Sequence, residues 1–252
     1  MRIVGQNNNI KSTLKKLFDS HFNTIKNLDY NSFVKETIEN NPVVFNFNVN
    51  ELTYFNDENE IQLLKDSQKD FHFSSIFNSS IKMDIEENLI KTKFKKDLKV
   101  VLNTLKKESL EKFSDLKRQA LFLTHSDFPY AWGFLYGKGK FPILKKPEYF
   151  KFDYSNELFL ADLKIDYSLI WSNFLALEKA ILEKDLYNQI SNTDIFNSLR
   201  ASYVYKAYLL LFDVLNENQE ELFEGFPLKK PFYIYGNEHG CEPINLFIIE
   251  KI

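Results

Sequence analysis

The densest group of residues able to do chemistry is Asn237-Glu238-His239-Gly240-Cys241-Glu242. A histidine beside glutamates can act as an acid–base pair, and a thiol in the same loop is a nucleophile once deprotonated. A metal centre here would need two further ligands from elsewhere in the chain. The same residues also make a polar hairpin turn, in which Gly236 and Gly240 free the backbone and the charges hold the loop in water. Asn237, Glu238, His239 and Glu242 are the first candidates for a binding contact. Trp132 and Tyr136 join them because aromatic side chains favour binding surfaces. The spacing assigns no catalytic residue, no metal ligand and no cofactor.

Two other stretches resemble motifs without meeting their requirements. Thr124-His125-Ser126-Asp127 holds the residue types of a hydrolase triad, but sequence neighbours cannot converge as a triad must, so a turn leading into a strand is expected. Tyr136-Gly137-Lys138-Gly139-Lys140 fits neither phosphate-binding pattern and reads as a turn with exposed lysines. His21 and His72 are expected to be structural, within a helix and a strand. Lys15-Lys16, Lys95-Lys96 and Lys106-Lys107 read as solvated helix faces.

Several elements could position such a loop. Ile10, Leu14, Leu17, Phe18, Phe22, Ile25 and Leu28 recur at helical spacing, and a shorter helix is expected over 32–39, stopped by Asn40-Asn41-Pro42. The period then changes to two at Val43, Phe45, Phe47 and Val49, a strand ahead of a turn at 56–59. Phe71-His72-Phe73 and Ile81-Lys82-Met83-Asp84-Ile85 each read as short strands. A helix follows over 95–116 and an aromatic strand over 128–137. Residues 138–164 look irregular, with a strand fragment at 149–154. Helices are expected over 167–190 and 194–216, and strands over 232–235 and 244–249. This order predicts an α+β fold, a mixed or antiparallel sheet packed against several amphipathic helices. A division near residue 90 would separate an N-terminal helix–strand region (1–90) from a C-terminal α+β domain (91–252).

Composition narrows the function classes. With 35 acids and 32 bases the net charge is −3, too balanced for a nucleic-acid binder. Arginine occurs only at 2, 118 and 200, and bidentate phosphate recognition is mostly arginine work. The single cysteine can form neither an internal disulfide nor a multi-cysteine zinc site. No apolar run approaches the ~18 residues of a membrane helix. The first nine residues lack a signal peptide's apolar stretch, so a cytoplasmic location is expected. The abundance of Phe, Tyr, Lys, Asn and Ile follows AT-rich codons, which points to a bacterial source of low GC content.

From Phe128 onward the order of features resembles a group of bacterial immunity proteins of polymorphic toxin systems. The features are the strand Phe128-Pro129-Tyr130-Ala131-Trp132-Gly133-Phe134-Leu135-Tyr136 after a helix, the helix bearing Leu169-Ile170-Trp171, the helix with Leu209-Leu210-Leu211, and Phe232-Tyr233-Ile234-Tyr235 before an acidic loop. The likeness covers about residues 95–252. It implies a non-enzymatic intracellular protein that neutralises a toxin by binding it, with a protein partner and neither nucleic acid nor membrane. Two alternatives stay open: a hydrolase-type enzyme with a dispersed site near 237–242 (His125, Glu238, His239 and Cys241), and a structural subunit of a larger assembly.

Overall fold

The computed structural model describes residues 5–40, 43–44, 53–54, 58–112, 117–125, 129–137, 139–151, 157–238 and 241–250. Its elements begin with α1 (Gln6–Ile25), α2 (Tyr30–Asn40), β1 (Val43–Val44), β2 (Thr53–Tyr54), α3 (Glu58–Ser67), α4 (Phe71–Lys82) and α5 (Glu87–Lys112). They continue as β3 (Arg118–His125), β4 (Tyr130–Tyr136), β5 (Leu158–Asp166), α6 (Ser168–Glu183), α7 (Tyr187–Ile190), α8 (Asp194–Leu222), β6 (Leu228–Glu238) and β7 (Ile244–Ile249). The class is α+β. Two compact units emerge, each discontinuous in sequence: residues 1–16, 86–170 and 205–252 form one, and 17–85 with 171–204 form the other.

The first unit is built on a five-stranded sheet of order β5-β4-β3-β6-β7. All neighbours are antiparallel except β3 and β6, which run parallel. Parallel strands need a long crossover, and the chain between β3 and β6 supplies it. The central strand β3 is buried along nearly its whole length, which is why Ala120-Leu121-Phe122-Leu123 reads as a continuous apolar run instead of an alternation. The sequence pattern assigns no element to most of β3, with a turn expected only from Thr124, and β5 falls largely in the stretch expected to be irregular. In β5 a register shift against β4 breaks the period of two.

Leu123 lies between two glycines in register, Gly133 on β4 and Gly236 on β6. Each is where a helix comes close. A Cβ on Gly133 would stand 3.2 Å from Val101 Cγ1 of α5, and one on Gly236 would stand 2.8 Å from Tyr208 Cζ of α8. Ile90, Phe94, Leu98, Val101, Leu102 and Leu105 follow helical spacing along the buried side of α5. The opposite sheet face carries an aromatic layer. Phe122 stacks on Tyr235 at 4.8 Å between ring centres and meets Tyr136 edge-on at 5.3 Å. The non-regular segment 139–151 covers this layer with Phe141 and Phe150, fastened by Tyr235 Oη donating to Pro142 O and Leu144 N donating to Asn245 Oδ1.

Side-chain groups occupy one backbone position on each sheet edge. On β7 the side-chain amide of Asn7 imitates a neighbouring strand: Nδ2 donates to Ile248 O and Oδ1 accepts from Ile248 N, each at 2.9 Å. On β5, whose register shifts against β4, Asp166 N donates to Asp97 Oδ2 at 3.0 Å.

Helices α5 and α8 share a ladder of charges in which α5 supplies most of the lysines and α8 most of the acids. Lys91 meets Asp213 at 2.8 Å, while Lys95 and Lys99 meet Glu221 at 2.7 and 2.8 Å. Lys95 is therefore an inter-helix partner, contrary to the solvated face expected of Lys95-Lys96. Hydrogen bonds from Lys95 and then Lys99 hold the Glu221 carboxyl down at about 2, against an ordinary 4.5. A depressed carboxylate pKa contributes stability that is whole above about pH 4.5 and disappears as the pH falls towards 2. Glu221→Gln is expected to remove that increment: stability falls modestly across the neutral region, the acid limb flattens, and variant and wild type converge as the pH drops towards 2. Urea midpoints from pH 2 to 7 check this, and an unaltered acid limb would count against the ladder.

Among its described residues the second unit is built of helices and the pair β1–β2, which is antiparallel with Val43 opposite Tyr54. Positions 45–50 of the strand expected over 43–50 lie outside the described residues. The strands expected at 71–73 and 81–85 are instead parts of helix α4 and the turn after it. Phe73, Phe77, Ser80 and Ile81 are its buried positions, and Asp70 caps it by accepting from Phe73 N at 3.0 Å. His72 is accordingly an exposed helical residue. Tyr30 of α2 packs against Phe73 and Phe77 and bonds Ser67 through its hydroxyl at 2.6 Å. Burial pushes that hydroxyl's pKa up to about 12. Tyr203 Oη donates to Ser80 O at 2.7 Å beneath Phe174, beside fully buried Trp171.

Candidate functional site

Parallel strands β3 and β6 end together, and their ends gather residues that are far apart in sequence. His125 closes β3 opposite Glu238 of β6, and Thr124 stands opposite Asn237. Thr124 Oγ1 donates to Asn237 Oδ1 at 2.7 Å. Cys241 N donates to Glu238 O at 2.9 Å, and Cys241 is exposed. Three of the four dispersed residues of the hydrolase alternative thus belong to one end of the sheet. The fourth, His239, lies outside the described residues. Glu242 is exposed, and Asn237 and Glu238 are half-buried.

The chemistry available to this cluster is narrow. His125 is 0% exposed and lies between the rings of Tyr167 and Tyr208, each 6.3 Å away. Burial raises the Tyr208 pKa well above its usual value, and Tyr167, Tyr205, Glu238 and Cys241 push it the same way. Tyr208 therefore stays protonated at neutral pH and can donate but not act as a base. Among the described residues no three His, Cys, Asp or Glu side chains converge as a metal site requires, and no helix is long and apolar enough to cross a membrane.

Trp132 joins this end through the sheet. Lys164, Trp132, Thr124 and Asn237 form one row across four strands, and Lys164 Nζ sits 3.7 Å above the Tyr130 ring. Tyr136 stands at the opposite end of β4, in register with Ala120. It is 4% exposed within the aromatic layer, and its hydroxyl donates to Glu157 at 2.6 Å. A partner would reach it only by displacing the segment that covers the layer.

A second, larger feature lies in the helical unit. Between α3, α4 and the end of α6 runs a broad, open groove of about 910 Å³ with Leu63, Phe71 and Leu186 on its walls. Phe71 is 86% exposed on an ordered, capped helix, and Leu63 is 45% exposed. Leu182 and Tyr187, 63% and 54% exposed, adjoin the lining residues along the chain. Ion pairs Lys69–Asp66 at 2.6 Å and Lys184–Asp70 at 2.5 Å give the groove a polar rim. The sequence pattern hides this groove, because Phe71-His72-Phe73 also fits a short strand. The signal was present in Asp70, whose capping role starts a helix at Phe71 and puts Phe71 and Phe73 on different faces.

Compared with known proteins, the chain significantly matches no family model, no curated protein and no solved structure.

Proposed function

We propose that this is a non-enzymatic protein-binding protein that captures its partner through the groove of the helical unit. The observation that carries this reading is Phe71: a large aromatic side chain held almost wholly in water, beside Leu63, inside a rim of paired charges. Exposed apolar surface rimmed by polar groups is the anatomy of a protein docking site. The groove is wide and open, unlike the enclosed clefts that bury small ligands. The likeness of residues 95–252 to toxin-neutralising immunity proteins makes a toxin, blocked in the cytoplasm, the partner in this proposal. Affinity capture from the source cells by the wild-type chain and by Phe71→Ser/Leu63→Ser tests it. The expected result is one stoichiometric partner recovered by the wild type alone, which arrests growth when expressed by itself and is silenced by co-expression. Equal recovery by the variant overturns the groove; a harmless partner overturns the toxin.

One observation favours a second reading. The register of His125 with Glu238, whose carbonyl accepts from Cys241 N, brings together residue types that a dispersed hydrolase site would need, although His125 is out of reach of solvent. Such a site requires a thiolate at neutral pH. Alkylation of Cys241 no faster than that of a free cysteine peptide removes this reading.

A further inference from the structure

The chain's modest net charge hides a division. The helical unit, residues 17–85 and 171–204, holds 15 acids and 8 bases for a net −7, while the sheet unit holds 20 acids and 24 bases for a net +4. The groove lies wholly in the acidic unit. Its own charges repeat the sign: Asp66, Asp70 and Glu183 outnumber Lys69 and Lys184. Both of those lysines are already engaged by aspartates, and among the described residues Glu183 is met by Lys179 at 3.6 Å, both largely exposed. Asp185, next to Glu183, adds a further exposed carboxylate at the end of α6.

We propose that the occupant of this groove is a basic protein segment, an apolar side chain flanked by lysines or arginines. The apolar residue packs among Leu63, Phe71 and Leu186, and the flanking cations face Glu183 and Asp66. A unit of net −7 repels the phosphates of nucleic acids and of anionic lipid surfaces, and it steers cationic proteins into encounter. The inference rests on the groove being a docking site and adds the chemical class of what docks.

Panning randomised 16-residue peptides displayed on phage against the immobilised full chain tests it, with Phe71→Ser and Asp66→Asn/Glu183→Gln as comparisons. All three positions are exposed, so the variants keep the fold, which circular dichroism checks. The expected winners carry an aromatic or aliphatic residue with two or more lysines or arginines. Their affinity should fall at least roughly tenfold between about 50 and about 500 mM salt, as screening of an exposed charge contact demands. They should bind several-fold more weakly to Asp66→Asn/Glu183→Gln and lose Phe71→Ser. Neutral or acidic winners that still need Phe71 overturn the basic partner and leave the groove as a docking site. Winners indifferent to Phe71, or none, overturn both.

Discussion

Phe77→Ala is expected to lower the unfolding free energy by about 3–5 kcal/mol, the range for truncating a fully buried phenylalanine. Phe77 is 1% exposed, with the rings of Phe33 and Tyr30 at 4.8 and 4.9 Å. Tyr30 is pinned in turn by its bond to Ser67 and by Tyr30 N donating to Asn78 Oδ1 at 2.9 Å. Rings held on several sides cannot close over the space left behind, so the cavity cost is added to the transfer cost. Phe71→Ala, six positions away on the same helix, should change stability by less than about 0.5 kcal/mol, because Phe71 already stands in water. Phe73→Ala should behave like Phe77→Ala. In a strand Phe71 and Phe73 would share a face and respond alike, so urea midpoints for the three variants test the helical assignment directly.

Gly236→Val is the second large effect, with a destabilisation of about 1–3 kcal/mol from overpacking. The new Cβ would lie 2.8 Å from Tyr208 Cζ and 3.0 Å from Leu246 Cδ1, and a β-branched residue adds two methyl groups beyond it. Tyr208 is itself fully buried against His125, so it cannot swing aside. Tyr208→Ala introduced with Gly236→Val should recover part of the loss relative to the two single changes added together, since neighbours that share a clash do not act independently. Strictly additive losses would place the strain elsewhere.

These two sites show what the sequence carries and where it stops. Strongly periodic helices such as α1 and α5 are legible because apolar residues recur every three or four positions. Strand β7 stands out as a short apolar run between a polar loop and the last residues. Central strand β3 is not legible: buried on both faces, it loses the alternation that marks a strand and keeps no length that would separate it from a helix. Gly236 looks like an ordinary turn residue, and Gly133 is one small residue within an aromatic strand, until register sets both beside Leu123. The candidate residues follow the same rule. Asn237 and Trp132 were each identifiable, yet their shared row depends on Thr124 between them. The acidity of the helical unit is invisible along the chain, because two separated stretches build that unit and the sheet unit's excess of bases offsets it.

The amide of Asn7 that bonds to the edge of β7 joins residues 241 positions apart. A ribosome adding roughly 5–20 residues per second needs about 12–50 s to travel that distance. For that time the Asn7 amide has no strand to seal. The helical unit waits as well, since residues 17–85 must hold until 171–204 emerge. Order of synthesis and order of folding are therefore opposed here: neither compact unit can be finished until its later stretch, 205–252 or 171–204, has emerged.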